Sequence, residues 1–224
     1  MAADMKPAAI DAFYSRLAAA NPAPQTELEF SDPYTLLVAV VLSAQSTDVG
    51  VNKATRGLFA AAATPAAMAA LGESVVRGHI MTIGLFNTKA RHVIALSQML
   101  VAEHGGIVPN DRAALERLPG VGRKTANVVL NTAFGEATCA VDTHIFRVGN
   151  RTGLAPGKTV LAVEAAIMRR TPSRFLRGAH HWLILHGRYV CIARKPRCPQ
   201  CPVADLCEFT AKTPAMQLPP ITPG

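Results

Sequence analysis

The segment Leu118-Pro119-Gly120-Val121-Gly122-Arg123-Lys124-Thr125 constrains the fold more than any other stretch of this 224-residue chain. Proline sets its own φ and closes the helix before it, while glycine admits φ > 0 and leaves backbone N–H groups uncovered. A helical stretch precedes the segment, Asp111 to Leu118, and a second follows, Arg123 to Phe134, closed by Gly135. The spacing therefore predicts a tight hairpin between two helices, anchored by Leu118 and Val121, with Gly120 and Gly122 both free to take positive φ. The free N–H groups and dipole of the second helix face one side, which suits one phosphate held without reading a base. A plain glycine turn between packed helices explains the same residues. Two other phosphate loops fail: Arg123 stands where a Walker A loop needs Gly, and Thr125 where a dinucleotide fingerprint needs its third Gly.

The rest of the chain reads as all-α. Strand-like alternation is scarce, and helix punctuation recurs. Asp32-Pro33 opens a helix over Tyr34 to Ala44; Thr47-Asp48 opens Val49 to Ala63; Thr64-Pro65 starts a short one. Further helices are expected over Ile10 to Ala20, Thr88 to His104, Thr143 to Asn150, Thr159 to Arg170 and Ser173 to Val190. Asn21-Pro22-Ala23-Pro24 looks like a linker, and the Pro-rich tail from Pro214 is expected to lack regular structure.

Composition removes several classes. At 50% hydrophobic, the chain is too apolar for disorder and long enough to bury a real core. Leu36 to Leu42 falls well short of the roughly 20 apolar residues of a membrane span and reads as part of a buried helix. The N-terminus lacks the layout of an export signal. A formal charge of +8, from 23 Lys+Arg against 15 Asp+Glu, points to an anionic partner. At 5% aromatic, the chain has no stock of stacking platforms for single strands.

Four of the five cysteines, Cys191, Cys198, Cys201 and Cys207, are spaced C-x6-C-x2-C-x5-C. Four thiolates in so compact a loop hold a metal centre, either tetrahedral zinc or a [4Fe–4S] cube. Zinc ribbons present two C-x2-C knuckles; here there is one, which leans toward iron–sulfur. Cys139 lies outside the spacing and reads as a small buried apolar residue. Arg194, Lys195 and Arg197 stand between the first two of these cysteines, where they form a solvated face or meet an anionic partner.

Lys124 lies in the first turn of its helix, where the dipole disfavours an ammonium. A desolvated lysine of lowered pKa is an amine nucleophile, and it needs a carboxylate partner. Asp142, 18 positions later in Val141-Asp142-Thr143-His144, supplies one. Asp142 also reads as a plain N-cap, and both roles are compatible. His144 reads as a packed or hydrogen-bonded histidine.

Together the hairpin, Val141-Asp142-Thr143-His144 and the four cysteines closely resemble the endonuclease III family, DNA glycosylases with lyase activity in the helix-hairpin-helix superfamily. Leu42-Ser43-Ala44-Gln45-Ser46-Thr47-Asp48, Thr82-Ile83-Gly84-Leu85 and His181-Trp182-Leu183-Ile184-Leu185-His186-Gly187-Arg188 extend the resemblance from about Phe30 to Cys207. It implies two helical domains flanking a DNA-binding cleft: a six-helix barrel with the hairpin, residues 26–136, and an iron–sulfur domain joining residues 1–25 to 137–224. It further implies that the cysteines hold a structural [4Fe–4S] cluster. Lys124 and Asp142 are then catalytic, and Gly120, Gly122, Arg123, Arg194, Lys195 and Arg197 contact DNA. Gln45 and Leu85 match the family's wedge, which fills the gap left when the target nucleotide is extruded. Without the resemblance, Leu85 reads as core and Gln45 as a polar helix end.

The resemblance implies a base-excision repair enzyme that removes oxidised pyrimidines from duplex DNA and cleaves the strand through a lysine Schiff base. It is expected to act as a monomer, in the cytoplasm or on the nucleoid, with no membrane partner. Adenine- and thymine-mismatch glycosylase relatives lack the lysine, and only a short tail follows Cys207. A non-enzymatic DNA-binding module accounts for the hairpin and cysteines but not for Lys124 together with Asp142.

Overall fold

The computed structural model describes residues 4–214. Among these are eleven α-helices, one 3-10 turn and no strand. The tail beyond Pro214 lies outside the described residues. No described helix is long and apolar enough to cross a membrane.

By its internal packing the chain divides into two units, Met1–Gln25 with Ala137–Gly224, and Thr26–Glu136. The second unit holds α2 (Pro33–Ser43), α3 (Asp48–Ala61), α4 (Pro65–Leu71), α5 (Glu73–Ile80), α6 (Phe86–His104), α7 (Arg112–Arg117) and α8 (Arg123–Phe134). The start signals are physical caps. Asp32 accepts the Thr35 N–H at 2.8 Å in a capping box, and Thr47, Thr64 and Asp111 cap α3, α4 and α7 through their side chains. Every residue of α2 from Tyr34 to Leu42 is buried, as befits a helix apolar on all sides. α8, α3 and α6 pack directly on α2.

This unit carries seven helices where six were expected. The extra one is α5. Gly72, at φ +77, ends α4 as glycine commonly does, but it also starts α5 with no side-chain cap, so the second helix opens without the usual signal.

The other unit is built from α1 (Pro7–Ala20), α9 (Thr143–Thr152), α10 (Val160–Arg170) and α11 (Ser173–Tyr189). Tyr14 is fully buried, stacks on Phe175 with ring centroids 5.6 Å apart, and shares a 2.9 Å hydrogen bond with Thr171 Oγ1. Cys139 is buried in this core, as expected of a small apolar residue, and burial pushes its thiol pKa up.

Candidate active site, wedge and cluster loop

The hairpin is built as its residues require. Leu118 ends α7 with its side chain buried, and Val121 donates its N–H back to the Leu118 carbonyl at 3.0 Å. Gly120 takes φ +80, and a Cβ there would stand 2.8 Å from His92 Nδ1, so both conformation and space demand glycine. Gly122 differs from the expectation: its φ is −99, a value open to any residue. No protein atom lies within 4 Å of where its Cβ would be. Neither strain nor packing inside the protein explains this glycine. An uncovered backbone at the N-cap of α8, with no side chain capping it, leaves the first amides open to an external anion.

Arg123 and Lys124 occupy the first turn of α8, and both are exposed. The lysine therefore reaches solvent in the chain without DNA. Asp142 is half-buried at the N-cap of α9, where its Oδ1 accepts the Ile145 N–H at 2.8 Å. His144 is hydrogen-bonded, with Nδ1 3.3 Å from Arg147 Nη2.

Three non-glycine residues among those described have positive φ: Gln45 (54°), Leu85 (59°) and Lys195 (51°). All three were singled out from sequence as DNA-facing. Such conformations cost about 1–3 kcal/mol each and persist where the surroundings impose them. Leu85 is 56% exposed, which removes the core reading, and Gln45 is exposed as well. Their loops adjoin: a Cβ on Gly84 would stand 3.6 Å from the Gln45 carbonyl oxygen.

The four cysteines carry free thiols and line one cavity of about 360 Å³, counted to its open side, with Pro196 and Phe209. Thiolates that border one space in common can hold a shared centre, and four of them fit the ligand count of a [4Fe–4S] cube. Burial pushes the Cys201 thiol up to about 11 and raises Cys207 too; a bound cation reverses this by deprotonating its ligands. Arg194 and Lys195 are exposed on the loop between the first two ligands, and Arg197 is half-buried.

Two arginines that the sequence reading passed over support this loop. Arg147 Nε donates to the Cys191 carbonyl at 2.9 Å and Nη2 to the Gly187 carbonyl at 2.8 Å. Arg151 donates to the carbonyls of Ile192 and Ala193, each at 2.8 Å. Their i, i+4 spacing on α9 was the available signal.

Residues 38–173 match the HhH-GPD superfamily base excision DNA repair proteins, and residues 191–207 match the iron–sulfur binding domain of endonuclease III. Over 198 residues the chain is 61% identical to endonuclease III of Escherichia coli (strain K12), covering 88% of this chain and 94% of that protein. The chain belongs to the endonuclease III family. Endonuclease III of Haemophilus influenzae is 58% identical over the same coverage. A solved endonuclease III trapped as a covalent intermediate with DNA, an estranged-adenine complex, superposes with a TM-score of 0.84 at 43% identity, covering 90% of this chain and 95% of that one. A thermostable thymine-DNA glycosylase superposes at 0.82 with 26% identity, covering 92% of this chain and 98% of that one. As an endonuclease III family member the chain is a DNA glycosylase with AP lyase activity that binds an iron–sulfur cluster.

Proposed function

We propose that this enzyme removes oxidised pyrimidines from duplex DNA, with Lys124 as nucleophile and Asp142 assisting. The observation that carries the assignment is an accessible primary amine, Lys124, in the first turn of α8 beside the uncovered Gly122. The hairpin amides receive a backbone phosphate, and Gly120, Gly122 and Arg123 contact the strand there. Gln45 and Leu85 fill the gap left by the extruded nucleotide, since unstacking costs about a few kcal/mol per step.

With the sugar held, neutral Lys124 Nζ attacks C1′ and the N-glycosidic bond breaks, the base leaving with a proton. The amine and the opened sugar form a Schiff base. Loss of a proton from C2′ expels the 3′ phosphate by β-elimination, and hydrolysis frees the lysine. Asp142 accepts the lysine's proton or stabilises positive charge developing on the sugar. Desolvation of Lys124, absent from the free chain, comes with the bound DNA. The iron–sulfur cluster orders the loop carrying Arg194, Lys195 and Arg197. The enzyme acts as a monomer in the compartment that holds the genome.

Borohydride reduction during turnover on a thymine glycol duplex tests the assignment. The intact chain is expected to be trapped on DNA and Lys124→Ala not to be. A Lys124→Ala chain that still trapped would falsify the nucleophile assignment.

A further inference from the structure

Beneath the two wedge loops lies a charged group that base release does not use. Lys89 stands on α6 in line with Val93, Leu96 and Leu100, and is only 4% exposed. Lysine is almost never buried so far unless paired. No carboxylate pairs with it among the described residues; its Nζ donates to Ser46 Oγ at 2.9 Å. Burial lowers its pKa.

The position of Lys89 connects the wedge. Ser46 directly follows Gln45, and the main-chain N–H of Lys89 donates to the Leu85 carbonyl at 3.0 Å. The Lys89 side chain therefore holds the Gln45 loop from the first turn of the helix that Leu85 opens, a turn closed by the ordinary main-chain bond. Both wedge residues are in left-handed conformations, which require imposition from outside. The contact of Gly84 with the Gln45 carbonyl shows the two loops already seated together.

We infer that Lys89 is a positioning residue, whose buried ammonium pins the Gln45 loop through Ser46 so that Gln45 and Leu85 enter DNA as one preformed wedge. Stability alone does not account for it. Replacing a buried charge by a well-packed apolar side chain is often neutral or stabilising. The ammonium is kept because its directional bond fixes a loop that an apolar contact would leave free to shift.

This inference rests on the reading of Gln45 and Leu85 as the wedge, and the test separates the two. Lys89→Met, Lys89→Arg, Ser46→Ala and Leu85→Ala are compared with the parent on thymine glycol in duplex and on an abasic site in single strand, where no gap needs filling. A 2-aminopurine opposite the lesion reports unstacking by its fluorescence. In Lys89→Met the ratio of duplex to single-strand rate is expected to fall on the order of 10- to 100-fold, the loss that a small misplacement produces. The fluorescence rise is expected to slow with it, while the melting temperature holds or increases. Ser46→Ala moves the same way, and Lys89→Arg recovers part of the ratio.

Parental ratios in Lys89→Met and Ser46→Ala beside a reduced ratio in Leu85→Ala overturn the Lys89 inference and leave the wedge standing. A parental ratio in Leu85→Ala overturns the wedge itself. Equal loss on both substrates with a lowered melting temperature makes Lys89 merely structural and also overturns the inference. If Lys89→Met does not fold, Ser46→Ala decides.

Discussion

The Asp142 carboxylate accepts the Ile145 N–H at 2.8 Å, so the acid assigned to chemistry is also the cap of α9. The two roles separate by substitution. Asparagine caps a helix about as well as aspartate but carries no charge. Asp142→Asn is therefore expected to keep the parental melting temperature while single-turnover base release falls roughly 10²–10⁴-fold. Asp142→Ala is expected to lose that activity and about 0.5–2 kcal/mol of stability as well. Chemical quench and thermal melts on both variants check this; a parental rate in Asp142→Asn removes Asp142 from the chemistry.

Arg194 and Lys195 are exposed on the cluster loop. Each is expected to neutralise one phosphate, so removing either lowers the slope of log K against log salt by about 0.9. Titrations of a duplex carrying an uncleavable abasic analogue, from low to physiological salt, read the slope directly. An unchanged slope in both Arg194→Ala and Lys195→Ala takes this loop off the DNA.

His181 is buried on α11, and burial holds its pKa below the ordinary 6.5. The folded chain keeps the ring neutral where the unfolded chain binds a proton. The stabilisation is therefore complete above 6.5 and is lost as pH falls from there to the lower folded value. His181→Gln is expected to flatten this part of the profile. Urea midpoints at pH 7.5 and 5.5 compare the two chains; equal slopes remove His181 from the acid response.

Much of this architecture was legible because its signals are local. Gly122 and Gly135 bracket α8 at its observed ends, and Asp32-Pro33 marks α2 through a capping box. The cysteine spacing placed four thiols around one cavity. Legibility failed where the deciding partner is distant in sequence or external. α5 starts on a glycine with no side-chain signal. Lys89 completes an apolar stripe on α6, but its partner Ser46 lies 43 positions away. Gly122 takes a conformation open to any residue and has open space around it, which no residue pattern states. Lys124 is exposed, which its place in the first turn of α8 does not by itself state.

The unit that holds the cluster is split in the chain, residues 1–25 coming before and 137–224 after a unit with its own core. During synthesis this order becomes a timetable. α1 leaves the ribosome first with Phe13 and Tyr14 uncovered, and the Thr171 hydroxyl that pairs with Tyr14 follows 157 positions later. Residues 26–136 can close on themselves in the meantime. Cys207, the last of the four clustered cysteines, emerges later still, so the full set of thiols is complete only near the end of synthesis.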